Sequence, residues 1–261
     1  MTGKLPFRDA LPRKPKITIH TSCKGRAKYV KETLPSSLAA AKADGNCEVL
    51  LISYSSPDGL GDMVKKMWMK EIKSGLLTYY YIGSQKYFAF SHSRNLGVRL
   101  ATGDIVINVD ADIAIGPNYL REIRRLYREN VMQAVHLRGM AGWMAMVKQH
   151  VEQLGGYDER MDDGYGREDT DLLRRAKAAG LAVTMLEPPR GWRRLNHHPD
   201  IKDKYAKSKH ERGATWRHTE KEHDRMSHDA LRRGILVANQ GKTWGFASAM
   251  FKNFDEVVNV G

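Results

Sequence analysis

Between Lys16 and Val109 four short apolar, β-branched runs alternate with three helix-length segments, and this alternation restricts the fold more than any other feature of the chain. The runs are Lys16-Ile-Thr-Ile-His20, Glu48-Val-Leu-Leu-Ile52, Thr78-Tyr-Tyr-Tyr-Ile82 and Asp104-Ile-Val-Ile-Asn-Val109. A run such as Ile105–Val109 offers no polar face, which reads as a strand covered on both sides. Helices are expected over about Ala27–Ala43, stopped by Asp44-Gly45, over Met63–Ile72, and over Ser91–Ala101, ended by Gly103. The Met and Trp residues of the second helix read as core filling. Strands separated by helices imply an α/β fold: a mostly parallel central sheet with right-handed crossovers, flanked by helices.

The second half is less regular. Pro117 suits a first helical position, and Leu120, Ile123 and Leu126 face inward on a helix running to about Glu129. Ala134–Leu137 and Trp143–Val147 read as a β-pair, and Leu172, Leu173 and Ala176 as the stripe of a helix closed by Gly180. Pro188-Pro189 ends this organised region. The expected organisation is a basic tail over 1–15, a nucleotide-binding α/β half over 16–116, a second half of the same domain over 117–190, and a basic extension over 191–261, partly helical and able to act as a lid.

With 261 residues, 41% of them hydrophobic, the chain can bury a sizeable core. No apolar stretch approaches the roughly 20 residues of a membrane-spanning helix. Met1–Lys16 lacks the apolar region of a secretory signal, and two cysteines, Cys23 and Cys47, suit a reducing compartment. A cytoplasmic location is therefore expected, with peripheral membrane contact through basic residues left open. The net charge of +13 draws polyanions. Much of it is local, since Arg190–Arg233 holds 13 Lys/Arg against 7 Asp/Glu and six of the ten histidines. No aromatic-studded basic repeat or zinc-finger spacing supports nucleic-acid binding.

Two acidic clusters carry the chemistry. Asp110-Ala111-Asp112 stands directly after the apolar run Ile105–Val109, at the carboxyl end of a strand, where open α/β sheets bind ligands. Mg²⁺ and Mn²⁺ prefer such oxygen ligands and commonly bridge carboxylates to substrate phosphates. An isolated Asp-X-Asp more often merely closes a strand. Downstream, Glu168-Asp169-Thr-Asp171 opens the helix of Leu172, behind a loop holding Gly155, Gly156, Gly164 and Gly166. Acidic residues suit a helix start for the dipole alone. The same dipole and free N–H groups keep a carboxylate ionised, fit to act as a general base toward a hydroxyl group. His197-His198 lies just beyond the organised region, where an imidazole either completes a metal shell or has no special task.

Together these residues resemble a GT-A-fold glycosyltransferase. Ser93-Arg-Asn-Leu-Gly-Val-Arg-Leu-Ala-Thr-Gly-Asp-Ile-Val-Ile-Asn-Val-Asp-Ala-Asp112 is similar to the family 2 pattern of Ala-Arg-Asn-X-Gly, Ala-X-Gly, and an apolar strand ending in Asp-X-Asp. Gly155–Arg175 resembles the β-1,4-galactosyltransferase and chondroitin-polymerase group, in which a Gly-Gly-X-(Asp/Asn)-Glu turn precedes a Gly-X-Gly-Glu-Asp-X-Asp helix start. The likeness covers roughly residues 16–200.

It implies inverting transfer of a hexose or N-acetylhexosamine from a nucleotide-diphosphate donor, UDP-linked by family preference, to a glycan or other hydroxyl acceptor, with Mn²⁺ or Mg²⁺ as cofactor. By position, Asp112 would ligate the metal, and Asp110, with Ala111 between them, would contact the donor ribose or the metal through water. Asp169 would deprotonate the acceptor and Glu168 would hydrogen-bond acceptor or donor sugar. His197 fits the third metal ligand, with His198 as its rival. Arg94 would reach toward the donor, and Thr21, Ser22 and Arg26 would border the nucleotide. Family 2 enzymes usually carry Asp-Asp-Gly-Ser after the second strand. Here Ser53 and Tyr54 replace the aspartates, leaving Tyr54 to stack on or bond to the base. The basic extension would close over the donor or hold an anionic acceptor. The rivals are a nucleotidyltransferase, for which Thr21–Arg26 has too few glycines, and a non-catalytic carbohydrate- or polyanion-binding module.

Overall fold

The computed structural model describes residues 5–83, 85–196 and 202–261. The expected alternation is present. Strands β1 (Ile17–Cys23), β2 (Cys47–Tyr54), β3 (Leu77–Ile82) and β4 (Ile105–Asn108) are joined through helices α1 (Ala27–Asp44), α2 (Leu60–Lys73) and α3 (Phe90–Leu100). All four strands run parallel, in the order β3-β2-β1-β4. Their side chains alternate between two cores. Ile17, Ile19, Val49, Leu51, Ile105 and Ile107 face α1 and α2, while Leu50, Ile52 and Val106 face α3. Both faces are covered, which is why β2 and β4 read as apolar runs without a polar face. Trp68 of α2 is buried in the first core, as its sequence context implied, whereas Met67 stays exposed.

Beyond β4 come the short β5 (Ile113–Ala114), α4 (Tyr119–Glu129), β6 (Gln133–Leu137), β7 (Met140–Val147), α5 (Lys148–Gln153), α6 (Glu168–Ala178) and β8 (Ala182–Leu186). The pair β6–β7 is antiparallel, and β7 adds antiparallel to β4. Leu120 and Ile123 of α4 and Leu172, Leu173 and Ala176 of α6 are buried as their spacing indicated.

The chain after Pro189 contains the helices that its sequence suggested and, beyond them, two strands that it did not. It contains β9 (Arg193–Arg194), α7 (Lys207–Arg212) and α8 (Trp216–Arg232), and then the hairpin β10 (Ala247–Lys252) and β11 (Glu256–Val260). Strand β10 pairs antiparallel with β3, completing a nine-stranded sheet in the order β11-β10-β3-β2-β1-β4-β7-β6-β8. The hairpin escaped the pattern because its register shifts between Ala247 and Met250, where Ala249 takes a φ of 50°. A bulge inserts a residue and breaks the two-residue period by which strands are recognised.

Candidate active site

The parallel strands end together at one rim of the sheet, and a cavity of about 330 Å³ opens there. Ser22, Arg26, Arg94, Asp110, Ala111, Asp112, Glu168 and Asp169 all line it. Residues separated by up to 147 positions in the sequence thus share one chamber.

The Asp110–Asp112 turn is fixed from beneath. Thr33 of α1 donates its hydroxyl to the Ala111 carbonyl at 2.8 Å, and Ser36 accepts from the Ile115 amide at 3.0 Å. Thr21 donates to the Val109 carbonyl at 2.8 Å. Its side chain therefore supports the strand end and does not border the cavity. Strand β9 pairs with β5 and brings Arg194 to the Asp112 carboxylate, Nε to Oδ2 3.3 Å, while Arg26 stands 3.8 Å from Oδ1. Lys202 lines the same wall. Burial lowers its pKa, and the nearby Arg194 and Arg26 charges lower it further. This side of the cavity therefore holds more positive charge than Asp112 alone balances.

Arg94 joins the two acidic clusters. Only 6% exposed, it reaches from α3 to the Asp110 Oδ1 at 3.2 Å and forms an ion pair with Glu168, itself 4% exposed. Burial opposes the Arg94 charge, but Glu168 and Asp110 hold its pKa well above the usual value. Burial likewise pushes the Glu168 carboxyl up, against the pull of Arg94. Asp169 accepts from the Thr170 amide and hydroxyl through Oδ1. Its Oδ2 stands beside Gly142 of β7. A β-carbon at Gly142 would lie 3.1 Å from both Arg94 Nη2 and Asp110 Oδ2, and 3.2 Å from Asp169 Oδ2. The missing side chain keeps open the space between the two carboxylates, and sequence reading did not single this glycine out.

The motif neighbours of Arg94 hold the frame. Asn95 is fully buried, donating to the Tyr157 carbonyl and to Glu159, both at 2.9 Å, and accepting from the Tyr157 amide at 2.8 Å. It ties α3 to the Gly155–Glu159 turn. At Gly97 a β-carbon would collide with the His20 imidazole, so the glycine lets α3 lie directly on β1. Asp162 accepts from the Ser91 and His92 amides at 2.7 and 3.1 Å, capping α3 at the end that carries Arg94. Nothing in the sequence pattern marks that contact. Asp171, third of the acidic run, pairs with Arg175 at 2.7 Å, and Arg175 clamps the carbonyls of Leu154 and Gly156. Its task is to fasten the loop.

Tyr54, the last residue of β2, does not point where its place at the strand end suggested. Its ring is 2% exposed and packs beneath Phe88, with the hydroxyl 2.8 Å from His92 Nδ1. The alternation of β2 turns this side chain to the α3 face, and only its carbonyl meets the cavity wall, accepting from Lys24 at 3.2 Å. Phe88, Phe90, Tyr165 and Tyr205 supply the aromatic lining instead. Tyr205 packs so close to Gly25 that a β-carbon there would strike its ring. His197 and His198 lie outside the described residues, three and four positions after β9. Among the described residues no cluster of three or more His, Cys, Asp or Glu is placed to hold a metal ion.

A doubly covered, mostly parallel sheet with two aspartates at a central strand end and an acidic helix start across the cavity is the arrangement of the GT-A fold. The chain belongs to glycosyl transferase family 2, whose sequence profile matches residues 18–172. No curated protein sequence matches it. Among solved structures it is similar to Staphylococcus aureus TarS 1–349, with 15% identity and a TM-score of 0.54 over 68% of this chain and 59% of that one. A mannosyltransferase from Pyrobaculum calidifontis, in complex with GDP-Man and Mn²⁺, aligns with 19% identity and a TM-score of 0.56, over 72% of this chain and 62% of that one. TarS 1–349 in complex with UDP-GlcNAc gives 13% and 0.56, over 87% and 74%. The chain thus spans about three fifths of the first of these relatives. No helix among the described residues is long and apolar enough to cross a membrane.

Proposed function

We propose that the chain transfers a hexosyl or N-acetylhexosaminyl group from a nucleotide-diphosphate sugar, UDP-linked by family preference, to a hydroxyl of a glycan, with inversion at the anomeric carbon. The observation that carries this reading is the pairing of Asp110 and Asp169 across Gly142, with Arg94 between the two acidic clusters. Residues 16–116 then serve the donor and 117–190 the acceptor. Support for a nucleotide-sugar donor also comes from the similar folds in complex with UDP-GlcNAc and GDP-Man.

Asp169 Oδ2 takes the acceptor proton, and the freed hydroxyl oxygen attacks the donor from the face opposite the diphosphate. The two bonds from Thr170 hold Asp169 in the orientation this requires. Glu168 fixes Arg94, and Arg94 holds Asp110 toward the donor. Arg26, Arg194 and Lys202 meet the negative charge of the diphosphate.

Asp110 and Asp112 offer the hard oxygen ligands that Mg²⁺ and Mn²⁺ prefer, so they would fit a divalent cation. His197 or His198 would supply a nitrogen ligand. When bound, the cation stabilises charge on the departing diphosphate. The basic stretch from Arg190 to Arg233 favours an anionic glycan acceptor, such as a growing polysaccharide.

Calorimetric titration of UDP- and GDP-sugars, with Mn²⁺ and with chelator, tests this reading, followed by NMR assignment of the product anomer. Metal-dependent binding of one sugar nucleotide and an inverted product are expected. A retained anomer would remove Asp169 as base, and binding indifferent to Mn²⁺ would remove Asp112 as a ligand.

A further inference from the structure

Helix α8 lies outside the family match, yet it grips the loop that presents Glu168 and Asp169. Thr219 of α8 accepts from the Tyr165 amide at 3.0 Å, and its single hydroxyl hydrogen is shared between the Tyr165 carbonyl at 3.2 Å and the Trp216 carbonyl at 3.1 Å. A β-carbon at Gly164 would collide with Thr219, so helix and loop are in direct contact. One turn further along, His223 is 1% exposed. Its Nδ1 stands 2.8 Å from the Gly166 carbonyl and its Nε2 stands 3.0 Å from Asp163 Oδ1. Gly166 and Arg167 then turn the chain into α6 through left-handed conformations, φ 90° and 74°.

Both ring nitrogens of His223 therefore face acceptors. A neutral imidazole carries one N–H and an imidazolium two. Asp163 cannot supply the missing hydrogen without loss, because Arg212 donates to its other oxygen at 2.8 Å, so both oxygens accept. We infer that His223 is a positioning residue held as an imidazolium, a proton-dependent clasp that fixes the Asp163–Arg167 loop and through it the placement of Glu168 and Asp169. The charges around it are Asp163, Arg167 and Glu168 from the loop side, Arg174 from α6, Arg212 from α7, Arg160 from the turn before the loop, and Glu220, Glu222, Asp224, Arg225 and Asp229 from its own helix, with Arg233 just past its end. Loss of the second proton turns a lone pair toward an acceptor and opens the clasp as pH rises.

The inference rests on the glycosyltransferase reading only for its effect on turnover, and its test separates the two. Long-range ¹H–¹⁵N correlation on the full chain, labelled at histidine, reports whether one or both nitrogens of His223 are protonated between about pH 5 and about pH 8, the span in which histidine charge states change. Two protonated nitrogens on the acid side are expected. As the second proton leaves, hydrogen exchange at the amides of residues 164–167 should accelerate about tenfold, the equivalent of one lost hydrogen bond. His223→Gln, which can satisfy one acceptor alone, should exchange fast at every pH, and Thr219→Val should accelerate exchange while keeping the pH step. In wild type kcat should fall along the same alkaline step with the donor KM unchanged, and His223→Gln should lose that step. A neutral tautomer throughout, or exchange that ignores the titration, overturns the clasp. An intact exchange step with a flat kcat profile overturns the positioning role. Failure of every nucleotide sugar to turn over would defeat the enzymatic reading and leave the spectroscopic result standing.

Discussion

The two sides of the cavity hold their carboxylates in different ways. On the side assigned above to the donor, Asp112 is bracketed by two guanidinium groups at 3.3 and 3.8 Å, with Lys202 adding charge nearby. On the side assigned to the acceptor, Glu168 is buried directly against Arg94, and its loop is bonded to α8 through Thr219 and His223. Long, partly solvated pairs exchange partners at little cost, whereas a buried pair resists separation. The donor side is thus suited to rearrange as an anion and a cation arrive, and the acceptor side is rigid before any ligand does.

The sharpest way to break this contrast is to remove the proposed base alone. Asp169→Asn should lower kcat by about 10²–10⁴, the usual contribution of a positioned general base, with the folded state unaffected. Undiminished turnover would place the proton transfer elsewhere. Arg94→Met should destabilise the fold by about 3–5 kcal/mol in denaturant titration, because it leaves Glu168 buried and unpaired. Arg94→Met combined with Glu168→Gln should recover much of that loss, and a single-variant cost below about 1 kcal/mol would show a pair no stronger than a surface one.

His20 lies at the seam between the sides, beneath Arg94. Burial first, and then the Arg94 charge, lowers its pKa from 6.5 to about 3. The folded state therefore prefers the neutral ring. Stability should be complete above about pH 6.5 and fall as pH drops toward about 3, by about 1.4 kcal/mol per pH unit from this group. His20→Asn should flatten that acid slope, and an unchanged slope would mean that the burial costs the charged ring nothing. The smallest stability effect belongs to Arg194→Gln, within about 0.5 kcal/mol, since its partner is reached from a half-exposed position. Its signature should instead be weaker binding of a nucleoside diphosphate in calorimetry. A large loss of stability would make the donor side as rigid as its counterpart.

The sheet core and both acidic clusters were legible because each writes its physics into consecutive residues. Ile105–Val109 had to be a covered strand, and Glu168–Asp171 had to open a helix. What escaped were contacts between distant positions. Asp162 caps α3 across 71 residues, and Gly142 matters only because Arg94, Asp110 and Asp169 converge on it. Tyr54 was misplaced because its position in the chain looked right while the pleat of β2 turned its ring inward. Asp171 belongs to the same acidic run as Glu168 and Asp169, yet it is the partner of Arg175. The hairpin β10–β11 was hidden by its own bulge.

That hairpin carries a consequence for how the molecule is made. The strands β1 to β4 come from one stretch of chain and can pair as soon as they leave the ribosome, since synthesis proceeds from the N-terminus. The outer edge of β3 has no such neighbour. Tyr80 and Tyr81 wait for Lys252 and Phe251, and the Tyr79 amide for Asn253 Oδ1, 174 positions later. Until then a β-rich edge stays open to any passing strand. Assembly of this sheet therefore has a built-in late step, the docking of β10 on the β3 edge.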